Sequence, residues 1–287
     1  MSQPVGLITG SGTYAVTGLE DASEQLVGTE FGAVEVTTGI LAGADVVHVS
    51  RHGDGHPRLS HQVNHRGTIA ALAELGVGCT IGLTICGAVA PSLALGELIV
   101  FDDLYFPSNR LPDGSACTMH VEPGDPRRAH WIFDTPFAEP LRAELVQAIR
   151  SSGRSVHSRG CYGHVDGPRF NTRPEVLALG SFGVTAISQT AGPETVLSGE
   201  VGIPYALVGY VTDYANGASP ESTSVFELMD NMASSAEVFA TLLEPMVRSA
   251  VAAVTAAPGV NYGFETRPDL YRADDTAPGT STSGLAR

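Results

Sequence analysis

The chain has 287 residues, 43% of them hydrophobic and only 16% charged, with a net charge of −15. That length suits one large domain or two, and no apolar run reaches the ~18 residues of a membrane span. The acidic balance disfavours non-specific binding to nucleic acid or anionic membrane. There is no lysine, which excludes a Walker lysine and a lysine Schiff base. All sixteen basic residues are arginine, so an anion must be held by Arg, His, hydroxyls and backbone N–H groups. The leader MSQPVGLITG lacks a basic region followed by an apolar one, so no signal peptide is expected. Cysteines 79, 86, 117 and 161 form no CxxC pair. Cys79 and Cys86 fall in an apolar run and read as buried thiols of a cytoplasmic protein.

In chain order, Val5 to Ile8 predicts a strand, followed by a Gly-rich turn at Thr9-Gly10-Ser11-Gly12. Ala44 to Val49 predicts a strand that ends at Ser50-Arg51-His52-Gly53. Asn64 to Leu75 carries helical spacing and stops at Gly76. Gly78 to Ile85 and Gly96 to Phe101 read as strands. Residues 106 to 130 are polar and aperiodic and predict a long loop of the kind that is often functional. Helices are expected at Pro140 to Ser151, at Arg173 to Leu179, from about Pro193, and over Ser222 to Val254. Strands are expected at Val184 to Ile187 and Tyr205 to Val211. The alternation predicts an α/β fold, one domain over 1–257 with a central mixed sheet flanked by helices. Residues 258–287 read as a C-terminal extension, partly disordered.

In such sheets ligands gather at strand C-termini. Ser11, Arg51-His52, Thr84 and Asp213 all follow strands. An arginine at a strand end offers a planar fork to phosphate oxygens, and His52 adds a donor. The rival reading is a solvated loop of mixed charge. His52, His56, His61 and His65 lie close in sequence, but no HExxH or similar spacing supports a metal. The glycine turn is not a full GxGxxG, so a dinucleotide oxidoreductase is a poor fit. Thr84 offers a hydroxyl, or bonds locally. Phe170, beside a mobile-looking Gly-Pro, reads either as core or as a surface that stacks on a flat heterocycle. Gln189-Thr190 stand before a helix whose N-terminus would favour an anion. Asp213, at the end of a buried strand, needs a hydrogen-bonding partner. A purine amino group or ring nitrogen would supply one, or Asp213 is a turn residue.

The segments GLITGSGTY (6–14), RHGDGH (51–56), HQVNHRGTIAALAELGV (61–77), TICGAV (84–89), GPRFNTRPE (167–175), SQTAGPETVL (188–197) and TDY (212–214) together resemble the trimeric purine nucleoside phosphorylase family. Within it they resemble the methylthioadenosine phosphorylase branch. The resemblance spans roughly Gly6 to Met246. It implies reversible phosphorolysis of a purine nucleoside to free base and ribose 1-phosphate or a 5′-modified analogue, with no metal and no organic cofactor. It places phosphate on Ser11, Arg51, His52, Thr84, the Ile85 N–H and Thr190. The ribose falls near His56 and Gln189, and the base on Phe170, Asn171 and Asp213, with Asp213 the catalytic acid. A neighbouring subunit of the homotrimer, or dimer of trimers, would bring His130. Phe226, Leu228 and Met229 look apolar, which suits a 5′-methylthio group.

The chain departs from the family in two places. Ala215 stands where the methylthioadenosine branch carries a second Asp, and Gln189 where the family has Met. The retained Asp213 favours a 6-amino purine. The 6-oxopurine nucleosides methylthioinosine, inosine and guanosine are the alternative. The departures also motivate a reading of another class, a nucleoside-binding protein with weakened catalysis.

Overall fold

The structure is a computed structural model that describes residues 3–253 and 257–263. Val5–Thr9 (β1) is buried throughout, as an unbroken apolar run predicts. Glu20–Thr29 (β2) and Gly32–Leu41 (β3) form an antiparallel ribbon. The sequence reading passes over this ribbon because β2 is exposed along most of its length and carries no apolar run. Ala44–Ser50 (β4) returns to the core. His65–Glu74 (α1) follows, and the Asn64 side chain accepts from Gly67 N at its start. Cys79–Ala88 (β5) extends past the expected end at Ile85, so Cys86 and Gly87 lie inside the strand.

Leu98–Val100 (β6) and Asp103–Tyr105 (β7) are short. The long polar stretch that follows is a loop only up to Ala129–Ile132 (β8). Glu200 pins that loop by accepting from Met119 N and the Thr118 hydroxyl. Glu139–Ser151 (α2), Val156–His157 (β9) and Cys161–His164 (β10) lead to Arg173–Ser181 (α3). Val184–Ser188 (β11), Ala191–Glu200 (α4) and Tyr205–Tyr214 (β12) come next. Asp213 therefore lies within β12, not beyond it. Val225–Ala252 (α5) closes the unit, with the Ser224 hydroxyl capping its start. Val260–Gly263 (β13) pairs antiparallel with β8, so the first part of the presumed extension is ordered. The disorder expected nearer the C-terminus lies outside the described residues.

The result is an α/β fold with a mixed sheet of 11 strands. β4, β1, β5 and β12 are parallel neighbours, so their C-terminal ends meet along one edge. β12 alternates between two cores: Ala206, Val208 and Tyr210 face α2 and α5, and Tyr205 and Leu207 face α1 and α4. Helices cover both faces, which buries the central strands on both sides. Among the described residues no helix is long and apolar enough to cross a membrane.

Candidate active site

The edge where β1, β4, β5 and β12 end opens into a cavity of about 280 Å³. Its lining includes Ser11, Arg51, His52, His56, Thr84, Ile85, Phe170, Asn171, Gln189, Thr190, Asp213 and Leu228. The fold thus brings together groups spread over more than two hundred residues of chain.

Arg51 is buried, and its Nε and Nη2 donate to Glu194 at 2.7 and 2.9 Å. Its Nη1 donates to the Leu83 carbonyl at 2.7 Å. Burial pulls the Arg51 pKa down, but the Glu194 carboxylate more than offsets this and raises it. Glu194 also accepts from the Tyr205 hydroxyl at 2.8 Å. Gly10 has a different task from the one its turn suggests: a Cβ there would collide with Arg51 Nη1. The turn makes room for the guanidinium. The sequence reading missed Glu194. Its signal was a carboxylate set among small and apolar residues at the start of a buried helix.

His52 lies beside this pair. Burial and the Arg51 charge bring its imidazole down to about 4, so it is neutral near pH 7. Its Nδ1 donates to the Arg58 carbonyl at 2.8 Å. The other nitrogen is then an acceptor, which corrects the expectation that His52 supplies a donor. It becomes one only by taking up a proton with the anion. The His56 ring stacks on His52 at 4.2 Å, and its Nδ1 lies 3.1 Å from the Tyr14 hydroxyl. Among the described residues no group of His, Cys, Asp or Glu is placed to hold a metal ion.

Thr84 Oγ1 lies within bonding distance of the Ile85 carbonyl and of Ser188, a cavity-lining hydroxyl the sequence reading did not single out. Thr190 is the N-cap of α4, which starts at Ala191 rather than near Pro193. Its hydroxyl makes no cap bond, so the positive end of the helix and an uncommitted hydroxyl both meet the cavity.

The 167–171 turn is held, not loose. Gln189 accepts from the Ser60 hydroxyl at 2.8 Å and donates to the Arg169 carbonyl at 3.1 Å. Asn216 donates to the Asn171 carbonyl at 2.6 Å. Both ends of the Gln189 amide are thereby used to fix the turn. Phe170 is 60% exposed, which rules out the core reading and leaves its ring against the cavity.

Asp213 is partly buried, and burial raises its pKa despite a 2.8 Å bond from the Thr212 hydroxyl. A register shift between Val211 and Asp213 brings Asp213 opposite Gly87. A Cβ on Gly87 would stand 2.9 Å from Asp213 Oδ2. Gly87→Ala is expected to displace the carboxyl while leaving the fold nearly intact. A misplacement of ~1 Å can cost on the order of 10²-fold in rate. A drop of that order in kcat/KM for a nucleoside, with the melting temperature held within a few degrees, is the outcome to measure.

On α5 the cavity is lined by Leu228 and Met232, one turn apart on one face. Phe226 and Met229 are exposed, and the structure does not bring them to the cavity. His130 is exposed on β8 and does not line it either.

Comparison with known proteins places this arrangement. The family profile described as "Phosphorylase superfamily" matches residues 4–248. The chain belongs to the phosphorylase superfamily. A probable 6-oxopurine nucleoside phosphorylase of Thermococcus kodakarensis is 34% identical over 249 residues, covering 83% of this chain and 90% of that protein. An S-methyl-5′-thioadenosine phosphorylase of Geobacter sulfurreducens is 35% identical over 216 residues, covering 75% and 73%. Methylthioadenosine phosphorylase from Schistosoma mansoni, solved with adenine, superposes with a TM-score of 0.77 at 25% identity, covering 86% of this chain and 91% of that one. The phosphorylase fold is thus shared across nearly the whole described chain. The relatives are named for 6-oxopurine nucleosides and for methylthioadenosine.

Proposed function

We propose that the protein catalyses phosphorolysis of a purine nucleoside, with methylthioadenosine or another 5′-modified adenosine as the preferred substrate. The carrying observation is a partly buried carboxyl with raised pKa, Asp213, in one cavity with the charged and hydroxyl groups Ser11, Arg51, Thr84 and Thr190. Phosphate sits on those groups, with the Ile85 N–H and His52 completing its shell. His56 lies at the ribose, with Gln189 beside it. Phe170 and Asn171 flank the base. A phosphate oxygen attacks C1′ as the C1′–N9 bond breaks. The protonated Asp213 gives its hydrogen to N7, which neutralises the charge developing on the purine. The base leaves neutral, and Asp213 regains a proton from solvent. Neither metal nor organic cofactor enters this scheme.

Leu228 and Met232 give the sugar 5′ end an apolar wall, which suits a methylthio group better than a hydroxyl. A homotrimer in the cytoplasm fits this reading. The exposed apolar side chains Ile132, Phe133, Val260 and Tyr262 around the β8–β13 ribbon support burial against a second copy, which would carry His130 to a neighbouring site.

The test is base release with phosphate across methylthioadenosine, 5′-deoxyadenosine, adenosine, methylthioinosine and inosine. Methylthioadenosine is expected to give the highest kcat/KM. Higher kcat/KM for methylthioinosine favours the 6-oxopurine reading, for which Ala215 is the observation. Calorimetric binding without any base release marks a binding protein and overturns the proposal.

A further inference from the structure

The hydrogen bonds around Asn171 fix how its side chain is oriented. Asn171 lines the cavity, and its Nδ2 lies 3.3 Å from Glu175 Oε2. The same oxygen accepts from Thr172 N at 2.7 Å and from Arg169 Nη1 at 2.9 Å. The other oxygen accepts from Arg169 Nη2 at 2.7 Å. The Thr172 bond belongs to the capping box that starts α3, so the helix itself fixes where this carboxylate stands. The Arg169 fork keeps it ionised, with its pKa down at about 2.

An ionised carboxylate only accepts hydrogen bonds. An asparagine amide beside it must turn Nδ2 towards it, because the flipped amide would set Oδ1 against an anion. Oδ1 is therefore directed away from Glu175. The backbone around it is fixed by the Asn216 and Gln189 bonds, so the turn cannot swing to relieve the arrangement.

We propose that Glu175 is a positioning residue that locks the Asn171 amide with its oxygen towards the cavity, so that Asn171 and Asp213 bracket the purine 6-substituent with two acceptors. This rests on the nucleoside reading given above. A 6-amino group carries two N–H bonds and satisfies both acceptors: the carbonyl oxygen of protonated Asp213 takes one and Asn171 Oδ1 the other. A 6-oxo group carries none and sets its lone pairs against both. Discrimination of this kind is strong because the wrong base leaves polar groups unpaired. Ala215, which lacks a second carboxylate, leaves Asn171 as the partner of Asp213 at this edge.

The experiment compares kcat/KM for methylthioadenosine with that for methylthioinosine. Glu175→Gln keeps the capping box but presents either end of its own amide to Asn171. The ratio is expected to fall about tenfold, the equivalent of about 1.4 kcal/mol. Asn171→Ala leaves the Arg169–Glu175 pair in place, serves if Glu175→Gln folds poorly, and is expected to lower the ratio alike. The swapped pair Asn171→Asp/Glu175→Gln restores the lock, since Gln donates to one Asp oxygen and the other accepts. Its ratio is expected to return to within about threefold of the original. A ratio unmoved by Glu175→Gln and Asn171→Ala, or not restored by the swap, overturns the lock while the nucleoside reading stands. If no nucleoside releases its base, that reading fails. The lock is then judged by calorimetry with adenine and hypoxanthine, where equal affinity in the unsubstituted protein, or binding of neither, overturns it.

Discussion

Replacing Glu194 with Ala is expected to destabilise the protein by about 3–5 kcal/mol, because it leaves a buried guanidinium without its counter-charge. Arg51 cannot lose its proton at any ordinary pH. It is also almost wholly shielded from solvent, since side chains at both ends of the pair are 1% exposed. Urea unfolding monitored by circular dichroism reads the loss as a lower midpoint with an unchanged slope. Tyr205→Phe removes only one hydrogen bond to Glu194 and is expected to cost about 1–2 kcal/mol. A Glu194→Ala protein as stable as the original would mean that Arg51 finds another partner or reaches water. Under the proposed function the folded fraction should also show a raised KM for phosphate, because only the Leu83 and Ile8 carbonyls then hold the guanidinium.

Asp213→Asn is expected to lower kcat/KM for methylthioadenosine on the order of 10²-fold, about 2.7 kcal/mol of transition-state stabilisation. Asparagine offers N7 a hydrogen bond but no transferable proton. Methylthioinosine should lose less, so the preference between the two shifts towards the oxopurine. Burial raises the Asp213 pKa, so the acid persists to a higher pH than an exposed aspartate would allow. Activity that needs this proton is present below that raised pKa and falls as pH climbs through it. The Asn variant should lack this alkaline limb. An identical limb in both proteins would assign it to another group. The raised pKa also has a cost in stability: Asp213 adds stability only while protonated, and that contribution disappears as pH rises through the folded pKa.

Much of the site was readable from single segments. The apolar runs before Ser11 and Arg51 are strands that place those residues just past their ends, whereas Thr84, read as the end of a run, lies inside β5. The ordered blocks carried the family resemblance. The β2–β3 ribbon was not readable, because an exposed strand has no apolar alternation to betray it. The end of β12 was misplaced by the two polar residues Thr212 and Asp213; the strand runs on through a register shift at Thr212, with Asp213 opposite Gly87, where the missing side chain leaves its carboxyl room.

Other features had no local signal at all. Glu194 meets Arg51 across 143 residues of sequence, and only the parallel arrangement of the central strands beside α4 brings them together. That Leu228 and Met232, rather than Phe226 and Met229, line the cavity depends on where α5 lies against the end of β12, which composition does not fix.

The sequence by itself determined the α/β class, the family, and the residue types available for holding an anion, because these follow from periodicity, ordered motifs and the absence of lysine. Only the tertiary structure decided which of those residues are uncommitted. Arg51 is shared with Glu194, His52 is neutral, Gln189 is used to hold a turn, and burial raises the Asp213 pKa. The reason is physical: hydrogen-bond commitment and protonation are set by neighbours distant in sequence and by burial.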